Sequence, residues 1–324
     1  MRDPYYDITA VSNSSLSRLN PEQGGSPRRF KNYIEGRDEE RELKSLERGK
    51  LLHLSIFEPD KVKVSDVVKP TGKMEMLARS LSELGLRSDE LSIETIAGTA
   101  KAVAYGKNWK DETIAKKFRE EGAQYHDFLV TEKDSDTISV TAETKSIVNR
   151  CVDALGNHPI AKFYLFEEPG WVEEPWYWSA TVKMKGQRIE IPCKAKIDKL
   201  TKNGVLIDLK TTGKPIALFQ KAFEYYRYYR QIAFYSRAVR TRDDRPNSII
   251  ELIIAVETNP PHEVRVFEVS DEWHNKGADE YRALLYRYAY HEAHNNWSQS
   301  MEEMKSKTGR VFFNEPDLEQ QIHE

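Results

Sequence analysis

The chain has 324 residues, 39% hydrophobic and 31% charged, with 49 basic against 52 acidic side chains and a formal net charge of −3. That length suffices for one large domain or two medium ones, and the balance excludes a uniformly basic nucleic-acid coat while leaving local phosphate-gripping patches open. Two cysteines, Cys151 and Cys193, exclude a disulfide framework and a four-thiolate cluster, and no run approaches the roughly 20 apolar residues of a membrane span.

The opening MRDPYYDITAVSNSS lacks the charged-then-apolar pattern of a secretion signal, so no membrane association and a cytoplasmic location are expected. SNSSLSRL, Ser12 to Leu19, reads as a helix start whose serines can accept orphan amide hydrogen bonds. SPRRFKNYIEG predicts a second short helix, with Pro27 in its first turn and Gly36 ending it. A third helix is expected from Glu39 to Phe57, closed before Pro59. Residues 60–138 read as a polar, mostly helical insertion with few core anchors. Helical periodicity returns from Thr141 to Leu165, through Ile147, Val148, Cys151, Val152 and Leu155.

The pattern then changes to strands. Trp176, Trp178, Ala180, Val182 and Met184 share one face of a strand; Ile189, Ile191, Cys193, Ala195 and Ile197 share one face of the next. Turns are expected at Lys185-Gly186 and Asn203-Gly204. VLIDLKTT, Val205 to Thr212, follows as a buried strand. A long helix is expected from Ala217 to Arg240, its core face formed by Phe219, Ala222, Phe223 and Tyr226. Two further strands, SIIELIIAVET and HEVRVFEVS, lead to a last helix from Glu272 to Trp297 and a polar tail, 301–324. The order predicts an α/β arrangement in one domain, 1–300, with a helical N-terminal part.

VLIDLKTT is unusual for a buried strand because Asp208 and Lys210, two apart, project to one face. Burying such charges is costly without a partner or a task. A strict two-residue turn at Asn203-Gly204 would set Asp198 opposite Leu209. A three-residue loop, Lys202 to Gly204, with Gly204 left-handed, sets Asp198 opposite Asp208 instead, and that loop is expected. Paired carboxylates on adjacent strands suit a hard cation such as Mg²⁺ or Mn²⁺, and a neighbouring lysine can orient water and offset charge on a phosphorane-like transition state.

Asp198 followed by Asp208-Leu209-Lys210 resembles the core of the PD-(D/E)xK nuclease superfamily, whose central mixed β-sheet is flanked by helices. Gly49-x-x-x-His53, Gln231-x-x-x-Tyr235 and an acid at Glu174 or Glu173 resemble its RecB-like branch. SNSSLSRL, SPRRF, CKAKIDKL, VLIDLKTT and YYRYYRQIAFY together resemble the RecE-type exonuclease (exonuclease VIII) family, over roughly residues 8–60 and 140–260. The superfamily's proline before the first aspartate is absent, Ile197 standing there instead.

The resemblance implies a metal-dependent exodeoxyribonuclease acting 5′ to 3′ on double-stranded DNA ends in phage-type recombination, homo-oligomeric and serving a single-strand annealing protein. His53, Asp198, Asp208 and the Leu209 carbonyl would bind Mg²⁺ or Mn²⁺, with Glu174 as a further acid; Lys210 would act on the attacking water, and Gln231 and Tyr235 would support the site. Arg28, Arg29, Lys31, Thr211, Thr212, Arg227 and Arg230 are candidate DNA contacts. Rival readings are an endonuclease on the same fold and a non-catalytic DNA-binding subunit; intact catalytic positions weigh against the second. An iron–sulfur nuclease is disfavoured by the two cysteines, and a glycosidase is remote.

Overall fold

The computed structural model describes residues 5, 7–37, 44–65, 67–132, 138–140, 142–242, 248–306 and 308. The beginning of the expected third helix and most of the C-terminal tail lie outside the described residues. Short helices α1 (Asn13–Leu19) and α2 (Pro27–Ile34) come first, capped by the Ser12 and Ser26 side chains. Helix α3 (Lys44–Phe57) leads into β1 (Val62–Val64). Helices α4 (Lys73–Ser82), α5 (Ile93–Ala102), α6 (Asp111–Glu121) and α7 (Ala123–Glu132) follow, and β2 (Ile138–Val140) pairs with β1 in parallel. The insertion therefore leaves and returns through one two-stranded stem. Contrary to the expectation of few anchors, it has a core of its own, built from Met74, Leu77, Leu81, Ile96, Ile114 and Phe118.

Helices α8 (Ala142–Asn157) and α9 (Pro159–Lys162) precede β3 (Gly170–Met184), β4 (Gln187–Thr201) and β5 (Val205–Thr212). Helices α10 (Phe219–Tyr225) and α11 (Tyr228–Val239) cross to β6 (Ile250–Glu257); β7 (Val264–Glu268), α12 (Asp271–His294) and α13 (Met301–Lys305) complete the fold. The sheet runs β3-β4-β5-β6-β7, antiparallel except for β5 beside β6. It is a mixed sheet between helical layers, the expected α/β PD-(D/E)xK-like class. One core joins it to α1, α2, α11 and α12; the other joins it to α3 and α8.

Turn chemistry sets the register. Lys185 (φ 49°) and Gly186 (φ 80°) make the two-residue β3–β4 turn, which pairs Trp176 with Ala195 and Trp178 with Cys193. The β4–β5 loop is the three-residue one, with Gly204 at φ 89° and Lys199 paired to Ile207, so continuing the register sets Asp198 level with Asp208. One expectation fails: the helix from Ala217 to Arg240 is broken. Arg227 takes a left-handed conformation (φ 58°, ψ 41°) between α10 and α11.

Candidate active site

β4 and β5 part company after Lys199 and Ile207. The amide and carbonyl of a strand residue point the same way, so Leu209 loses both partners on its β4 side. Its N–H instead donates to Asp198 Oδ2 at 2.7 Å, and its carbonyl lies 2.9 Å from His53 Nε2. Asp198 thus satisfies a buried amide that the diverging strands would have orphaned. Gly49 faces β5 here: a Cβ at this position would sit 3.4 Å from Thr211 Oγ1, in ordinary contact. His53 follows one turn later on the same face.

Glu173 lies opposite Asp198, between the pairs Val172–Lys199 and Glu174–Ile197, with a φ of 48° that strands rarely adopt. Its Oε1 is 3.3 Å from His53 Nδ1 and its Oε2 3.5 Å from Lys196 Nζ. Asp198 Oδ1 is 3.6 Å from His53 Nδ1. The acid beside His53 is therefore Glu173 and not Glu174. Strand neighbours point to opposite faces, and Glu174 ion-pairs with Arg242 at 3.0 Å. Asp208, 0% exposed, is held by Lys210 Nζ at 2.7 Å. On α11, Gln231 Nε2 donates to the Tyr235 hydroxyl at 2.9 Å.

Burial opposes a charged His53, but the Asp198 charge and the Glu173 hydrogen bond outweigh it and raise its pKa to about 9. Burial raises Asp208 to about 6, against the pull of Lys210 and with the push of Asp198. Asp198 is also raised, chiefly by burial. Burial disfavours the Lys210 ammonium, yet the Asp208 and Asp198 charges more than compensate, and its pKa is raised. Tyr235 is pushed well above the usual phenol value by burial and then by Asp208 and Asp198, so it stays a neutral phenol.

This donor set fits a divalent cation. One atom each from His53, Glu173 and Asp198 lies within 4.8 Å of the others, and the protonated imidazole already draws both carboxylates and the Leu209 carbonyl as a cation would. Both Asp208 carboxylate oxygens are buried and lie 2.7 Å from Lys210 Nζ, so this carboxylate is already balanced by the ammonium. Imidazole nitrogen with hard carboxylate oxygens suits a divalent cation that accepts both donor types.

Residues 12–308 match the family described as a PDDEXK-like domain of unknown function (DUF3799). The chain belongs to this family. Comparison with curated proteins gives no match. Among solved structures, the chain is similar to a crystal structure of a “Putative exonuclease” from Eubacterium rectale, at 11% identity and a TM-score of 0.47, over 97% of this chain and 93% of that one. It is also similar to the crystal structure of SSO0001, at 11% identity and a TM-score of 0.25, over 52% of this chain and 68% of that one. Membership of the PDDEXK-like family supports a nuclease.

Not every expected DNA contact of this PDDEXK-like domain is free to serve. Arg230 is 0% exposed, its guanidinium spent on Ser17 Oγ (2.5 Å), Glu280 Oε1 (2.8 Å), Asn13 Oδ1 (3.0 Å) and Gln23 Oε1 (3.0 Å). It is a buried structural cation, because α1 and α12 close over the face of α11 that carries it. Arg227 is tied to Tyr229 Oη at 2.6 Å and Glu22 at 2.5 Å. The Thr212 hydroxyl closes a turn with Lys214, and Arg29 donates to the Gly24 carbonyl. Arg28 remains exposed, and Thr211 is half-buried against Gly49.

Two neighbours of the site were not anticipated. Lys196 is reachable from the alternation in CKAKIDK, where Lys194, Lys196 and Asp198 are spaced by two. Tyr228, whose ring centroid lies 4.9 Å from Lys210 Nζ, is three residues before Gln231, a helical spacing that the repeated tyrosines obscured.

Proposed function

We propose that this protein is a metal-dependent deoxyribonuclease, an exonuclease acting from the ends of linear double-stranded DNA, 5′ to 3′, with Mg²⁺ or Mn²⁺. The observation that carries the reading is the parting of β4 from β5, which directs Asp198, His53 and both backbone groups of Leu209 to one point beside the Asp208–Lys210 pair. His53, Glu173 and Asp198 would hold the metal, with the Leu209 carbonyl on the other nitrogen of the imidazole and Asp208 beside them. When bound, the metal supplies a Lewis acid for the phosphate and lowers the pKa of a water. Lys210, kept as an ammonium by its two carboxylate neighbours, orients that water and donates to the phosphate oxygen on which charge builds. Tyr235 and Gln231, hydrogen-bonded to each other on α11, offer neutral donors to the scissile strand. A role beside an annealing protein in recombination, and assembly into a homo-oligomer, belong to the same proposal and rest on the resemblance to RecE-type exonucleases.

The test compares linear with closed circular duplex DNA in Mg²⁺ or Mn²⁺, with Asp208→Ala as control. Loss of the linear form alone, reduced by about three orders of magnitude or more in the variant, is expected. Cutting of the circle would replace the exonuclease with an endonuclease. Failure to cut either, in both metals, would overturn the nuclease reading.

A further inference from the structure

A file of aromatic rings begins at the lysine of the site and ends in solvent. Lys210 Nζ lies 4.9 Å from the Tyr228 ring centroid. Tyr228 stacks on Tyr226, with 5.6 Å between centroids and 27° between planes. Tyr226 meets Tyr225 edge-on at 5.0 Å. Tyr226 is 55% exposed and Tyr225 75%.

The backbone is arranged to expose them. In one continuous helix, residue 226 would fall on the buried face with Phe219, Ala222 and Phe223, at i, i+3, i+4 and i+7. Tyr226 still donates its N–H to the Ala222 carbonyl, but the left-handed Arg227 ends α10 there and sends α11 off in a new direction, and the Tyr226 ring is left exposed. A non-glycine residue adopts this conformation at a cost. Here the Arg227 guanidinium, held by Tyr229 and Glu22, fixes the break in place.

We propose that Tyr226, backed by Tyr225, is a stacking platform for an unpaired nucleobase of the DNA strand whose phosphate lies at Lys210. The proposal rests on the nuclease reading and adds to it a preference for a single-stranded or frayed nucleotide beside the cut. A nucleobase is the occupant that suits this position: its flat π-face stacks on an exposed phenol ring while the adjoining phosphate meets the ammonium two ring contacts away. Such stacking tolerates any sequence, because every base has a π-face.

The test measures binding of the full-length protein, in chelator so that nothing is cut, to a fluorescent single-stranded oligonucleotide, a blunt duplex and a duplex with a short single-stranded overhang. Tyr226→Ala is expected to raise Kd for the single strand and the overhang by roughly fivefold or more, with little change for the blunt duplex. Tyr226→Phe should bind as the parent does, because stacking needs the ring and not the hydroxyl. A 2-aminopurine at the stacked position should be quenched by the parent and by Tyr226→Phe, and not by Tyr226→Ala. Equal binding by the parent and Tyr226→Ala overturns the platform, as does an equal loss on the blunt duplex. The failures are separable. Tyr226-dependent binding without cleavage in any metal would remove the nuclease and keep the platform; cleavage with Tyr226-independent binding would do the reverse.

Discussion

His53 joins the chemistry of the site to pH. In the folded, metal-free protein its pKa is raised to about 9, above the ordinary 6.5. Its contribution to stability is therefore complete below about pH 6.5 and is lost as pH rises through about 9, on the order of 3 kcal/mol in all. Asp208, raised to about 6, acts in the same direction at lower pH: its contribution is complete below about 4 and lost through about 6. A metal ion needs the neutral imidazole, so it competes with the His53 proton. In chelator, the thermal midpoint should fall between pH 6.5 and 9. The gain in midpoint on adding millimolar Mn²⁺ or Mg²⁺ should grow over the same interval. Thermal melts across this range check both slopes, and His53→Ala should flatten both. A metal-induced gain independent of pH would remove His53 from the ligand set.

At the scale of elements, buried polar contacts decide what periodicity cannot. The meander was legible because β3 and the first half of β4 alternate, β5 is a continuous apolar run, and the turns between them carry glycine where a positive φ is needed. Asp198 and Asp208 could be placed on that basis by counting loop residues. The choice between Glu173 and Glu174 could not be made, since it depends on a positive φ at a residue with no preference for one. The helix break was equally hidden: FEYYRYYRQIAFY has continuous helical propensity, and Arg227 is not a residue that announces a left-handed turn. Arg230 reads as a DNA contact from sequence because arginines among tyrosines can pair with phosphates and stack on bases; only the closure of α1 and α12 over α11 makes it structural. That closure gives SNSSLSRL its purpose, since Asn13 and Ser17 accept from the buried guanidinium. Arg230→Ala removes the shared donor of four acceptors and leaves Glu280 poorly compensated, for an expected loss of about 3–5 kcal/mol. Arg230→Lys should recover little of it, because an ammonium cannot reproduce the planar fork. Urea unfolding of both variants checks this; a loss below about 1 kcal/mol for the alanine variant would mean the network contributes nothing net.

The whole molecule holds two kinds of core. Both faces of the main sheet are covered, and β6 is buried along nearly its full length, as a central strand of a mixed sheet must be. The four helices from Lys73 to Glu132 pack on one another around Met74, Leu77, Leu81, Ile96, Ile114 and Phe118, and none of these residues enters either sheet core. Their apolar residues are spread over four short helices, so no single stretch of sequence displayed an anchor-rich face. Both ends of the insertion meet at the β1–β2 pair, where Val62 lies beside Ile138 and Val64 beside Val140. The pair is parallel, so a replacement must run back along it, which takes a flexible crossover linker of about a dozen residues. Replacing residues 70–135 with such a linker should leave the sheet and its site intact, because among the described residues the site draws on α3, β3, β4, β5 and α11. The parent should unfold in urea through two transitions, one for each kind of core, and the shortened protein should keep only the one that tracks the tryptophans of β3. Cleavage of a short oligonucleotide should survive the excision, whereas a change in preference for long duplexes would assign the insertion to DNA beyond the site. A shortened protein that is soluble but lacks any cooperative transition would show instead that the helical module is part of the sheet's folding unit.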